Sequence, residues 1–129
     1  MSKIFIHIPD STACSYYRVI LPIMQCYSDL SKEGIQLVCS DHIAEHEQCD
    51  VYIFHRIIKN DFWQAIYKLK TQGKRIVWQL DDDVFNVPST NPASHKIHEN
   101  DKKRTTEQLF YWDSIITTTQ NLADSIACP

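Results

Sequence analysis

The chain has 129 residues, which fits one domain with a hydrophobic core of its own. Hydrophobic residues make up 43% and charged residues 22%, the balance of an ordinary globular domain, and the net charge of -3 argues against a nucleic-acid binder, which needs a basic face. No apolar run approaches the roughly 18 residues of a membrane helix, and the N-terminus runs straight into a strand-like alternation without the apolar stretch of a secretory leader.

That location would be the cytoplasm, and the thiols agree. Cys14, Cys26, Cys39, Cys49 and Cys128 are odd in number and contain no C-x-x-C, so free cysteines in a reducing compartment are expected. Gly34 and Gly73 are the two glycines, and neither G-x-G-x-x-G nor a P-loop occurs.

In chain order, Lys3 to Ile8 alternates as a strand and stops at Pro9-Asp10. After a polar loop through Ser15, Tyr17, Ile20, Leu21, Met24 and Tyr27 recur at helical spacing up to about Leu30. Pro22 interrupts this helix and is tolerable only near a first turn, where its missing N–H would be unpaired anyway. Gly34 is a C-terminal stop, and Ile35 to Cys39 is a second strand. Ser40 to Gln48 is polar and reads equally as a short helix or a loop. Val51 to Phe54 is a third strand, followed by a helix opened by Asn60-Asp61, with Asp61 and Gln64 at capping-box spacing, and ended by Gly73. Phe62, Ile66 and Leu69 form its buried stripe. Arg75 to Leu80 is a fourth strand, and Val84 to Asn100, with Pro88 and Pro92, is a loop. A polar helix covers about Asp101 to Tyr111, Ser114 to Thr117 is a fifth strand, and Thr118 or Thr119 caps a last helix through Leu122 and Ile126.

Alternating strands and helices with short apolar strands define an α/β domain over residues 1–129: an open, doubly wound, mostly parallel sheet of about five strands in a three-layer α/β/α, Rossmann-like arrangement. Ligands in such sheets bind at the carboxyl ends of the strands, which selects the loops after Ile8, Phe54, Leu80 and Thr117.

Four constellations lie at or near those loops. Cys14-Ser15-Tyr16-Tyr17-Arg18 opens the first helix: helix N-terminal amides favour anions, Arg18 can clamp a carboxylate or phosphate, and two tyrosines offer faces and hydroxyls to a sugar. The bland alternative packs Tyr17 in the core and leaves Arg18 as a surface cation. Asp81-Asp82-Asp83 follows the fourth strand. Adjacent carboxylates need a counter-charge or donors to stay ionised. They could hold Mg or Mn through Asp81 and Asp83, bind a polyol or a facing Arg, or form a solvated turn with one Asp capping. His42 and His46 would share a helix face and, with Cys49, could hold zinc, although the segment around them is simply polar. His55-Arg56 ends the third strand, either as a substrate contact or as an ordinary polar strand end. Trp63, Trp78 and Trp112 sit on helical or strand patterns and read as core, and no G-x-S-x-G elbow supports a serine nucleophile.

The segments CSYYRVILPI, DVYIFHR, GKRIVWQLDDDVFNVPSTNPA and WDSIITTTQNLADSI together resemble the N-terminal domain of bacterial and phage GT-B glycosyltransferases of the family 1 and family 4 type, over nearly the whole chain from Ile4 to Ile126. The Asp-rich segment with Asn91-Pro92 carries the most specific part of this resemblance. The resemblance implies two Rossmann-like domains around a cleft. The first binds the acceptor, and the second holds a nucleotide sugar, usually without a required metal. It places Tyr16, Tyr17, Arg18, His55, Arg56, Asp82, Asp83 and Asn91 on the acceptor side of the cleft, and it favours the polyol or Arg-paired reading of the aspartates. The chain departs in carrying Ser11-Thr12-Ala13-Cys14-Ser15 where many relatives have Gly, and in lacking a second domain.

The leading expectation is therefore the acceptor-binding half of a nucleotide-sugar-dependent glycosyltransferase, inactive alone, with His55 or Asp83 as the candidate base. Its partners would be a sugar or glycan acceptor and the absent C-terminal domain. The domain itself would hold no cofactor, the nucleotide sugar serving as co-substrate of the full-length enzyme. The alternatives are a GT-A-like metal-dependent transferase using Asp81 and Asp83, and a non-catalytic binding or assembly module, as a homodimer through surfaces the absent domain would cover.

Overall fold

The computed structural model describes residues 2–43, 48–56, 62–92 and 99–127, with the side chains of 99–102 and 127 left aside. Five strands form one sheet: β1 (Ser2–His7), β2 (Ile35–Ser40), β3 (Val51–His55), β4 (Arg75–Leu80) and β5 (Ser114–Thr117). Every pairing is parallel, in the order β2-β1-β3-β4-β5. The sheet is thus parallel throughout rather than mostly so, and the strand limits agree with the sequence pattern to within a residue.

Parallel strands need crossovers. The first is one helical run, made of α1 (Ala13–Ser15), a π-helical turn (Tyr16–Ile20) and α2 (Leu21–Lys32). The third is α3 (Trp63–Thr71), and the fourth carries α4 (Glu99–Glu107) and a 3-10 turn (Leu109–Tyr111). α5 (Gln120–Ala127) follows β5. Right-handed crossovers running outward in opposite directions from β1 and β3 place α2 and α3 on opposite faces of the sheet. Gly34 and Gly73 stand at φ 74° and 72°, where each N–H closes the end of a helix on Ser31 O and Lys70 O. At the last helix, Thr119 Oγ1 accepts the Leu122 N–H at 3.2 Å, the cap its position suggested.

The π-helical turn explains how Pro22 fits well inside a helical run. Leu21 N–H donates to Tyr16 O, five residues back, and this register shift makes Pro22 one of the first residues of a new α segment. The capping-box residue Asp61 lies outside the described residues. α3 itself starts after Phe62, with no side-chain cap.

The core fills the α3 face. Phe5, Tyr52, Phe54, Ile76, Trp78 and Leu80 project from the strands against Trp63, Ile66 and Leu69 of α3 and Leu122 and Ile126 of α5. Trp112 is its hub: its ring stacks on Trp78 at 5.6 Å and meets Phe54 and Trp63 edge-on at 5.7 Å each. All three tryptophans are buried, as their positions on strand and helix patterns suggested. The opposite face buries Ile6, Val19 and Val77 but leaves the outer stripe of the first helical run uncovered, with Tyr17 64%, Met24 65% and Tyr27 58% exposed.

Candidate functional site

In a sheet ordered 2-1-3-4-5 the direction of winding reverses between β1 and β3, and ligands bind in the crevice outside the carboxyl ends of the two strands that flank this point. Here those ends are His7 and His55, followed by the loops that begin at Ile8 and Arg56. The neighbouring β4 delivers Asp81, Asp82 and Asp83 to the same edge.

Arg56 stands in the middle of this edge. Its φ is +53°, a left-handed conformation that a residue with a side chain adopts at a cost of about 1 kcal/mol or more. The conformation lets its N–H donate to Gln79 O at 3.0 Å while the guanidinium turns along the edge toward β4. Nε lies 3.2 Å from Asp81 Oδ1, and an Nη lies 3.6 Å from Asp82 Oδ2. The Asp81 carboxylate is almost fully buried, whereas that of Asp82 is two-thirds exposed. Thr118 adds a hydroxyl to Asp81 O at 3.3 Å, tying the loop after β5 to the loop after β4. Asp81 Oδ1 has charge compensation from Arg56 but no hydrogen-bond donor.

The first loop contributes a third carboxylate. Asp10 accepts the Thr12 N–H at 2.9 Å, the Thr12 hydroxyl at 2.6 Å and the Ser15 hydroxyl at 2.7 Å. The bonds from Thr12 and Ser15, together with the nearby Arg56 charge, hold its carboxyl down to about 2. Asp10 therefore fastens the loop and sets its negative charge beside the start of this helical run, while none of its bonds comes from an N–H of the helix itself. Reading Asp10 only as the end of a strand missed this role. The signal was present in the spacing of Thr12 and Ser15 behind an Asp, the mark of an Asx turn.

The two histidines are fully buried on opposite faces of the sheet, since His7 pairs with Phe54 and His55 with Gln79. His7 Nε2 bonds to Asp41 O at 3.0 Å, and its ring meets the Phe62 ring edge-on at 4.9 Å. Burial pushes the His7 pKa down, outweighing the carbonyl and carboxylate of Asp41. His55 Nδ1 bonds to Gln79 Oε1, and its Nε2 has no partner. Neither His7 nor Gln79 stood out by sequence, because both lie within strand patterns.

Asp83 turns away from Arg56. It accepts bonds from the backbone of Phe85 and Asn86, from Asn86 Nδ2 at 2.9 Å and from Ser125 Oγ of α5 at 2.8 Å. Burial alone would push its carboxyl up, but the bonds from Asn86, Ser125 and Phe85 outweigh it and hold the group below the ordinary range. The three aspartates thus divide into a pair on Arg56 and one clasp between a turn and α5.

Tyr16 and Tyr17 are exposed and meet edge-on at 5.3 Å in the first turns after Asp10, so Tyr17 is not a core residue. Arg18 is exposed, and no ion pair among the described residues holds it. Asn91 is exposed in a turn closed by its N–H on Pro88 O at 2.9 Å. Of the zinc candidates, the His42 side chain is 87% exposed beside Asp41 and Cys49 is fully buried, while His46 lies outside the described residues. Among the described residues no group of three or more His, Cys, Asp or Glu side chains could hold a metal ion. Cys14, Cys26, Cys39 and Cys49 are free thiols, and no described helix is long and apolar enough to cross a membrane.

The fold and the site together define a doubly wound α/β protein whose switch point is walled by carboxylates and one strained arginine. No protein-family model matches the chain, and neither a curated protein nor a solved structure matches it.

Proposed function

We propose that this chain is the acceptor-binding N-terminal domain of a nucleotide-sugar-dependent glycosyltransferase of the GT-B type. The observation that carries the reading is the chemistry of the switch point. Among the described residues, Asp10 and the Asp81-Asp82 pair outnumber Arg56. Such a crevice repels a phosphate and suits a neutral ligand rich in hydroxyls, whose O–H groups donate to exposed carboxylates such as Asp82. Both glycines lie at the opposite, amino ends of β2 and β4, so no glycine turn brings backbone amides onto a pyrophosphate. The acceptor sugar fits this chain. The nucleotide and the stabilisation of its phosphate charge belong to another domain of the enzyme.

Of the two candidate bases, His55 is the better supported, because it keeps a ring nitrogen without a partner whereas Asp83 is engaged by Asn86 and Ser125. Reaching His55 Nε2 requires a local opening of the structure, since the residue is fully buried. That burial favours a second reading, a non-catalytic module that binds the same class of ligand. The metal-dependent reading has less support, because Asp81 and Asp83 point to different partners.

Saturation-transfer NMR against a panel of mono- and oligosaccharides and of nucleotides tests the proposal. Saccharide binding that is lost in Arg56→Ala and Asp82→Asn, with no nucleotide binding, is the expected result. Binding of a nucleotide diphosphate without any saccharide would overturn it. Turnover after addition of the partner domain and a donor separates the enzyme from the binding module.

A further inference from the structure

The outer edge of β5 is the strongest unassigned feature of the molecule. β5 ends the strand order, and no described strand pairs with its outer side. Natural sheets guard such edges with Lys, Pro, charges or bulges. β5 instead reads Ser-Ile-Ile-Thr, neutral and β-branched at its last three positions, with Ile116 47% exposed. Beside it runs a groove of about 450 Å³ whose apolar lining comes from Leu109, Phe110, Ile115, Ala123 and Ile126. At the rim of this groove Phe110 stands 75% exposed. Its ring packs on Tyr111 at 4.4 Å, and Tyr111 meets the exposed Tyr67 at 6.1 Å, so Phe110 ends an aromatic ridge.

We propose that this face pairs with the same face of a second copy of the chain. The two β5 edges meet antiparallel across a twofold axis, and Phe110 of each copy packs on the groove of the other. A twofold interface requires one patch to carry both the knob and the hole, because residue i on one copy meets residue j on the other and the reverse. This patch carries both, side by side. The edge strand meets its own copy without setting charge against charge. The flanking helices supply both signs, Lys103 and Arg104 against Glu107 and Asp124, so two copies bring no like-charged fields together. The uncovered stripe of Tyr17, Met24 and Tyr27 lies on the first helical run and plays no part in this pairing. The proposal is independent of the glycosyltransferase reading.

Sedimentation velocity over a concentration series on the full chain, beside Ile116→Lys and Phe110→Asp, tests it. Both side chains are exposed in the single copy, so the variants fold, which circular dichroism checks. The expected result is a dimer weakened at least about tenfold by each substitution, as for an interface anchor. Hydrogen exchange then finds the outward amides of β5 protected in the dimer and unprotected in the variants. A monomer at every concentration overturns the proposal. So does an open series of larger species, a dimer indifferent to both substitutions, or one whose β5 amides exchange freely.

Discussion

At the scale of single residues the carboxyl edge is held by charges in unequal positions. Arg56 accepts a left-handed backbone to reach Asp81 and Asp82, so the same side chain that joins two strand ends also stores strain there. Asp10 is held down to about 2 by Thr12 and Ser15, against an ordinary value near 3.8. A carboxyl lowered on folding contributes stability that is complete above its unfolded value and is lost as the pH falls through the folded one. Asp10→Asn is therefore expected to cost about 1 kcal/mol near neutral pH, the size of a charge-assisted hydrogen bond weakened by solvent at an exposed site, and progressively less between pH of about 4 and about 2. Urea unfolding followed across that range checks it. A pH-independent difference would mean that the Asp10 charge is not what Thr12 and Ser15 stabilise.

At the scale of elements the first helical run is the informative case. A proline in a helix interior removes a hydrogen bond and strikes the carbonyl four residues back, at a cost of about 3 kcal/mol. The π-helical turn before Pro22 removes that conflict by starting a new α segment. Pro22→Ala should then change stability by less than about 1 kcal/mol, whereas Cys26→Pro, on an exposed position one turn further on, should cost about 3 kcal/mol. Thermal denaturation of the two variants decides it. A large gain from Pro22→Ala would place Pro22 in an ordinary helix interior. The same run shows where periodicity misleads about burial. Tyr17, Met24 and Tyr27 have the spacing of a helix, yet the sheet takes up other residues of the run, such as Val19.

At the scale of the whole molecule one cluster unites both halves of the sheet. Trp112 touches Phe54 of β3, Trp63 of α3 and Trp78 of β4 from its place just before β5. Trp112→Ala should cost about 4 kcal/mol, a large part of the 5–15 kcal/mol typical of a domain. A lower unfolding midpoint with a broadened transition in guanidinium chloride is the expected measurement. A loss below about 1 kcal/mol would show that the cluster repacks around the gap.

Much of the fold was legible in the sequence because parallel strands buried on both faces are short apolar runs, and because Gly34, Gly73, Thr119 and the aspartates mark where elements stop and start. Those signals are local and need no knowledge of neighbours. The strand order, and with it the location of the crevice between β1 and β3, came only from the assembled sheet, since pairing joins residues tens of positions apart. The same holds for the division of labour among three adjacent aspartates. Nothing in Asp81-Asp82-Asp83 distinguishes its members until β3 sets Arg56 beside the first two and α5 sets Ser125 beside the third. Sequence by itself determined which elements exist and what chemistry they carry. Tertiary structure decided which carboxylates meet a cation and which aromatic faces stay uncovered, because burial and ion pairing depend on distances across the sheet that no local pattern encodes.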